Sequence, residues 1–236
     1  MTPAPIHLAG ERLMLDPAGA LYWPAARLLA VADLHLEKGS AFAPKGMLLP
    51  PWDSRATLDR LALLLRRWTP QIVIALGDSF HDAGGPARLP AADAARLAAI
   101  AANHRLVWIS GNHDPAPPVG LGDGSCDLFA DVFTDVFSLG PLRFRHAAVP
   151  GAAAGEISGH LHPKAAVRAP AGTVRRPCFV ADARRVLLPA FGAYTGGLEV
   201  TDPAIACLFP RGGRVFLLGQ ERLFSFPLSG APRHRA

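Results

Sequence analysis

The sequence predicts an α/β protein in which two sheets pack face to face with helices outside. Three observations carry this expectation. In the first half, three apolar runs each stop at ligand-type polar residues: residues 27–32 at Asp33-Leu34-His35, residues 71–76 at Gly77-Asp78, and residues 106–110 at Gly111-Asn112-His113-Asp114. Segments of helical periodicity separate these runs, so each reads as a strand of a βα-type unit. Beyond Pro115 the helical periodicity gives way to short strands and turns. The chain has 236 residues, enough for one sizeable core, and contains no repeat or low-complexity linker. Residues 1–228 are therefore expected to form one domain and residues 229–236 a flexible tail.

Taken in order, residues 6–15 and 20–23, separated by Asp16-Pro17-Ala18-Gly19, predict a hairpin that leads into a third strand over 27–32. Residues 39–51 carry Pro44, Gly46, Pro50 and Pro51 and predict a loop, after which Asp53 or Ser54 can cap a helix. Leu58, Leu61, Leu65 and Trp68 fall on one face of that helix, with Arg60, Arg66 and Arg67 elsewhere, and Pro70 ends it. After the strand at 71–76 and a Gly84-Gly85-Pro86 loop, the alanine-rich residues 91–103 predict a second helix with a Leu97/Ile100 stripe. In the second half, strands are expected over 136–139 and 142–146 about Gly140-Pro141, over 155–162 ending at Gly159-His160-Leu161-His162, and over 174–180 and 185–188 about Ala181-Asp182-Ala183. A last pair is expected over 204–209 and 214–218 about Arg211-Gly212-Gly213.

Composition narrows the setting. Hydrophobic residues make up 50% of the chain, but charges, prolines and glycines break every apolar run before the ~18 residues of a membrane span. The amino terminus lacks the basic and apolar regions of a secretory leader. Cys126, Cys178 and Cys207 form no Cys-x-x-Cys pair, which predicts reduced thiols in a cytoplasmic protein and argues against a zinc-thiolate site. A net charge of +5 favours an anionic partner.

The chemistry lies in a constellation. Of nine histidines, His35, His81, His113, His146, His160 and His162 stand at or just beyond strand ends, beside Asp33, Asp78 and Asn112. Gathering carboxylates and imidazoles at one sheet edge is costly to desolvate unless something compensates them, and divalent cations are the natural compensation. Imidazole mixed with carboxylate and amide oxygen, without thiolate, suits Mn²⁺, Fe or Zn²⁺ rather than Ca²⁺. The candidate ligands exceed what one tetrahedral site uses, which predicts two metals with Asp78 as the bridging carboxylate.

Asp33-x-His35, Gly77-Asp78, Gly111-Asn112-His113-Asp114, His146 and Gly159-His160-x-His162 resemble, in order and spacing, the motifs of the calcineurin-like metallophosphoesterases. The resemblance covers roughly residues 27–163 and implies a four-layer α/β/β/α sandwich. It implies one metal on Asp33, His35, Asp78 and His162 and another on Asp78, Asn112, His146 and His160. It places His113 near the scissile phosphate as an acid or charge stabiliser held by Asp114. One departure is that His146 is followed by Ala147-Ala148, where many members have His-Gly-His.

The runs Ala32-Asp33-Leu34-His35-Leu36-Glu37-Lys38-Gly39, Gly77-Asp78-Ser79-Phe80-His81-Asp82, Arg176-Pro177-Cys178-Phe179-Val180 and 188–197 look like those of the bacterial ligase-associated DNA damage response endonucleases. That group is associated with a DNA ligase, a helicase and an exonuclease. The resemblance therefore implies a DNA-cleaving phosphodiesterase that prefers Mn²⁺ and has little sequence preference, acting on single-stranded DNA or on DNA without regard to sequence. In such chemistry two ions acidify a bridging water that attacks in line, and His113 or His81 assists the leaving alkoxide. Rival expectations are a hydrolase of small phosphoesters and a non-catalytic scaffold of the same fold. Lys38, Lys45, Arg143, Arg145, Lys164, Arg175 and Arg176 are candidates for a phosphate-tracking surface, or are simply solvated cations. Tyr194 either stacks a base or covers the core, His81 either touches substrate or pairs with Asp82, and His7, His104 and His234 read as surface residues.

Overall fold

The computed structural model describes residues 1–117, 132–169 and 172–230. Cys126, His234 and most of the expected tail lie outside them. The first sheet has seven strands in chain order: β1 (Ala4–Leu8), β2 (Glu11–Leu15), β3 (Leu21–Trp23), β4 (Leu28–Val31), β5 (Ile72–Leu76), β6 (Arg105–Ile109) and β7 (Val132–Thr134). Pairing is antiparallel from β1 to β4 and parallel from β4 to β7. β4 is buried along its whole length, as expected of a parallel strand covered on both faces.

Helices α1 (Lys38–Phe42), α2 (Asp53–Trp68), α3 (Gly85–Arg88) and α4 (Ala91–Asn103) connect the parallel strands. Leu58, Leu61, Leu64 and Leu65 of α2 and Leu97 and Ile100 of α4 bury against Leu29, Val31, Val73 and Trp108 on the outer face of the sheet. The second sheet is ordered β15 (Leu223–Leu228), β14 (Gly213–Leu218), β12 (Gly172–Ala181), β13 (Arg185–Leu187), β10 (Glu156–Ser158), β9 (Leu142–Arg145) and β8 (Val136–Leu139), with β11 (Lys164–Ala169) paired to β12. Leu28, Ala30, Ile74 and Val107 meet Phe144, Ile157, Phe179 and Val186 between the sheets. On the outer face of the second sheet, Ile205 of α5 (Pro203–Ala206) with Leu208 and Phe209 covers Val180, Leu187 and Val215. The order is α/β/β/α, with a thin fourth layer.

Four local expectations are corrected. Residues 6–15 are a hairpin in themselves, because Ala9 and Gly10 both take positive φ (50° and 86°), the geometry of a tight primed turn; alanine in the first position hid it. The expected loop 39–51 contains α1 and a 3₁₀ turn at Ala43–Lys45. Neither Asp53 nor Ser54 caps α2; Trp52 takes that position, and both side chains turn back to bind the chain at Glu37 and Gly39. The strand expected over 204–209 begins as a helix, because Asp202 accepts a hydrogen bond from Ala204 N and Pro203 occupies the first turn. Strands β11 and β15 were not anticipated. No described helix is both long and apolar enough to cross a membrane. Cys178 and Cys207 are free thiols, and burial pushes Cys178 up to about 12.

Candidate metal centre

The carboxyl ends of β4, β5 and β6 meet the ends of β9 and β10 at one edge of the sandwich. An isolated bridge between Ala32 and Ala190 ties the two sheets together there. Asp33 and His35 leave β4, Asp78 leaves β5, Asn112 and His113 leave β6, His146 follows β9, and His160 and His162 follow β10. Asp33, His35, Asp78, His160 and His162 all take the left-handed backbone conformation, with φ between 42° and 70°. Five chain reversals thus fall on the chemical residues themselves, at sites where strain is tolerated because the surroundings enforce it.

Two neighbouring positions make the packing possible. A Cβ on Gly77, whose φ is +74°, would lie 2.5 Å from His146 Nδ1. One on Gly111 would lie 2.2 Å from Asp78 N. Only glycine allows the β5 and β6 loops to approach this closely.

The donor atoms separate into two groups about Asp78. On one side His35 Nε2 lies 3.3 Å from His162 Nε2 and 3.8 Å from Asp78 Oδ2, and His162 Nε2 lies 3.4 Å from Asp33 Oδ1. On the other, His146 Nε2 lies 3.0 Å from Asn112 Oδ1, 3.0 Å from His160 Nδ1 and 3.4 Å from Asp78 Oδ2. Ligands held about 2.0–2.1 Å from one cation are about 3.0–3.4 Å from each other, so all of these separations except the 3.8 Å between His35 and Asp78 are ones that a coordination shell could use. Imidazole lone pairs facing one another beside fully buried carboxylates are a donor set that fits divalent cations. Asp33, His35 and His162 form one such cluster, and Asp78, His146 and His160 another.

Hydrogen bonds behind the ligands fix their tautomers and orientation. His146 Nδ1 lies 2.9 Å from Leu76 O and donates to it, so it is Nε2 that faces the site and offers a lone pair there once the ring is neutral. Asp33 accepts from His160 N through both oxygens, at 3.1 and 3.0 Å. Burial disfavours the His146 cation, but its hydrogen bond to Asp78 and the charges of Asp33 and Asp78 outweigh this and push it up to about 9. Burial would raise Asp78, yet His146, the His113 N–H and His35 hold it down at about 2. Burial pushes His35 down to about 3 against the pull of Asp78.

The remaining predicted residues divide. His113 presents Nε2 to the site, 4.0 Å from Asp78 Oδ2, while its Nδ1 donates to His81 O at 2.7 Å. Asp114 therefore does not hold the His113 ring, contrary to expectation. Its Oδ1 accepts from Asp78 N and Gly111 N (2.9 and 3.1 Å) and its Oδ2 from Ser79 N and Phe80 N (2.6 and 3.2 Å), so it pins the loop that delivers Asp78. Burial nonetheless pushes its carboxyl up to about 6.

The His81 ring stacks on His113 at 5.1 Å and is held below its ordinary value by burial, then by Lys38. Asp82 pairs with Arg88 rather than with His81. Arg145 is also withdrawn from the substrate side, because its guanidinium pairs with buried Glu156 at 3.6 Å. Lys38 Nζ donates to Tyr194 O at 3.0 Å and Lys164 Nζ to Thr195 O at 3.4 Å, so both lysines flank the 192–197 loop beside His162. Tyr194 is exposed. Arg175 pairs with Glu199 at 2.8 Å, while Lys45, Arg143 and Arg176 are exposed. The buried Glu37–Ser54–Asp53 cluster behind His35 was not anticipated; its only signal in the sequence is an acidic residue two places after the ligand.

Residues 26–164, more than half of the chain, match the family of calcineurin-like phosphoesterases. Among solved structures, the Pseudomonas putida nuclease MPE is similar with a TM-score of 0.71 and 33% identity, over 96% of this chain and 100% of that one. The Escherichia coli phosphoesterase Yfce aligns over 86% of this chain and 99% of its own at 14% identity, with a TM-score of 0.38. No curated protein matches the sequence.

Proposed function

The chain belongs to the calcineurin-like phosphoesterase family, and on that premise we propose that it is a two-metal phosphodiesterase that cuts DNA as an endonuclease in repair. The observation that carries the proposal is that Asp78 Oδ2 lies between two groups of donor atoms, 3.8 Å from His35 Nε2 and 3.4 Å from His146 Nε2, with His113 Nε2 4.0 Å from it. When bound, the two cations acidify a water molecule and neutralise charge on the phosphate. Asp33, His35, Asp78 and His162 would hold one, and Asp78, Asn112, His146 and His160 the other. Mixed imidazole and oxygen donors suit Mn²⁺, Fe or Zn²⁺, and Mn²⁺ is the cation of this proposal, with Fe and Zn²⁺ as alternatives.

The protein's own residues perform the rest. The Leu76 carbonyl keeps the His146 proton on Nδ1, away from the cation. The His81 carbonyl does the same for His113, so Nε2 faces the site, and the imidazolium form of the ring would deliver its Nε2 proton to the leaving alkoxide, general-acid help that is typically worth ~10²–10⁴-fold. Support for DNA as substrate comes from the relative described as a nuclease and from Lys38 and Lys164 at the rim of the site, with exposed Arg168 and Arg176 farther along the β11–β12 ribbon that begins two residues after His162. A role beside a ligase, a helicase and an exonuclease belongs to the same proposal.

The test compares Mn²⁺-dependent cleavage of circular single-stranded DNA, bis-p-nitrophenyl phosphate and p-nitrophenyl phosphate, with and without EDTA, using Asp78→Ala and His113→Ala as controls. The expected result is cleavage of DNA and the diester, lost with EDTA and in both variants. Monoester hydrolysis without DNA cleavage would overturn the endonuclease assignment, and inactivity in every metal would leave a scaffold.

A further inference from the structure

The 21 residues between the end of β4 at Val31 and the start of α2 at Asp53 far exceed the about 2–6 that usually join a strand to a helix in an α/β unit. Their base is fixed by buried polar groups. Ser54 Oγ donates to Glu37 Oε1 and Ser40 Oγ to Glu37 Oε2, both at 2.7 Å, and Gly39 N donates to Asp53 Oδ2 at 3.0 Å. Arg88 ties the excursion to the neighbouring loop, through Nε to Ser40 Oγ at 3.0 Å and through Nη2 to Asp82 at 2.8 Å. Glu37 and Asp53 are buried, so this is a rigid mount rather than a slack connection.

The mount presents Phe42. Its ring is half-buried, belongs to none of the three cores, and lies 5.1 Å from the His81 ring, which stacks in turn on His113. Lys38 Nζ and Lys45 Nζ lie 5.8 and 5.4 Å from the Phe42 centroid, and Lys38 also reaches the Tyr194 carbonyl. Neither metal binding nor core packing needs an apolar ring with two ammonium groups at this place, one imidazole outward from the general acid. A methyl group on the phosphate is too short to span the two ring contacts that separate His113 from Phe42, whereas a nucleoside carries its base several bonds beyond the phosphate.

We propose that Phe42, with Lys38 and Lys45, forms a base-stacking lip that receives one nucleoside next to the scissile phosphate. The proposal rests on the phosphodiesterase reading above and gives its substrate a chemical class, a phosphodiester bearing an unpaired base. Every base has a π-face, so a lip of this kind accepts any sequence but requires the base to be out of the duplex. The two ammonium groups engage the flanking phosphates.

The test uses the Mn²⁺-loaded full chain and three phosphodiesters with the same leaving group: methyl p-nitrophenyl phosphate and the p-nitrophenyl esters of thymidine 5′- and 3′-phosphate. Variants are Phe42→Leu, which keeps an apolar side chain against His81, and Phe42→Tyr, which keeps the ring. Stacking predicts that Phe42→Leu lowers kcat/KM for at least one thymidine ester by about 5- to 150-fold more than for the methyl ester, chiefly through KM, and that Phe42→Tyr restores it. A parallel fall with all three esters, or a Phe42→Tyr variant as impaired as Phe42→Leu, overturns the lip, since packing on His81 would affect every substrate alike. So does native protein that hydrolyses the methyl ester as fast as both thymidine esters, and in that case the phosphodiesterase reading stands. If the native protein hydrolyses none of the esters and no DNA, the phosphodiesterase reading fails and takes the lip with it.

Discussion

Replacing Asp114 by asparagine separates the stability of the fold from the positioning of the metals. The carboxylate is 6% exposed and accepts four backbone N–H groups, from Gly111, Asp78, Ser79 and Phe80. Asparagine has the same shape but only one acceptor oxygen, so in either orientation its NH₂ group faces two of those donors and strands them. A buried donor left without an acceptor costs about 1–3 kcal/mol, which gives about 2–6 kcal/mol for two.

The native carboxylate carries a cost of its own. Burial raises it from 3.8 to about 6, and keeping it ionised at pH 7 costs on the order of 3 kcal/mol, which asparagine avoids. The two terms nearly cancel, so urea denaturation of metal-free Asp114→Asn should give a stability within about 3 kcal/mol of native at pH 7. The loop carrying Asp78 is then held by two bonds instead of four, and loss of such outer contacts typically costs 10–100-fold in metal affinity or activity. Mn²⁺ titration by calorimetry together with DNA cleavage measures this. Linkage adds a second signature. The raised carboxyl means that its contribution to stability is full below pH 3.8 and is lost as pH rises through 6, and the asparagine variant lacks that slope. Native-like Mn²⁺ affinity and activity in the variant would refute the positioning argument.

Three further outcomes are expected. His113→Ala should bind two Mn²⁺ per chain by calorimetry and slow the chemical step by ~10²–10⁴-fold, whereas Asn112→Ala should lose the second metal. In the metal-free protein His146 is raised from 6.5 to about 9, so its contribution, on the order of 3 kcal/mol, is full below pH 6.5 and is lost as pH rises through 9. Thermal unfolding of metal-free protein across that window should show the loss, and Mn²⁺ loading at pH 7.5 should release a proton, detected by calorimetry in buffers of different ionisation enthalpy. Gly77→Ala should lower the melting temperature and abolish Mn²⁺ binding, because the new methyl group overlaps the His146 ring and φ stays at +74°.

The residues that the fold gathers into the candidate metal centre were legible in the sequence because each follows an apolar run, and apolar runs ending in Asp, Asn or His mark strand ends in an α/β sheet without knowledge of pairing. Helix α4 was legible to its ends for a similar reason, since its alanines and the Leu97/Ile100 stripe act locally. What escaped was set by contacts distant in sequence. Asp114 looks like a partner for the adjacent His113, yet its acceptors serve residues more than thirty positions earlier. Arg145 looks free until β9 lies beside β10 and brings it to Glu156. Asp53 and Ser54 resemble helix caps, and only the return of the chain past Glu37 gives them another use.

The left-handed backbone at Asp33, His35, Asp78, His160 and His162 makes function and foldability pull in opposite directions. Glycine would adopt each of these turns with less strain than the residue present, by about 1 kcal/mol or more per site. His162→Gly in the metal-free protein should therefore raise thermal stability while destroying the site. A lineage released from selection for catalysis would drift downhill in free energy toward inert, sturdier folds.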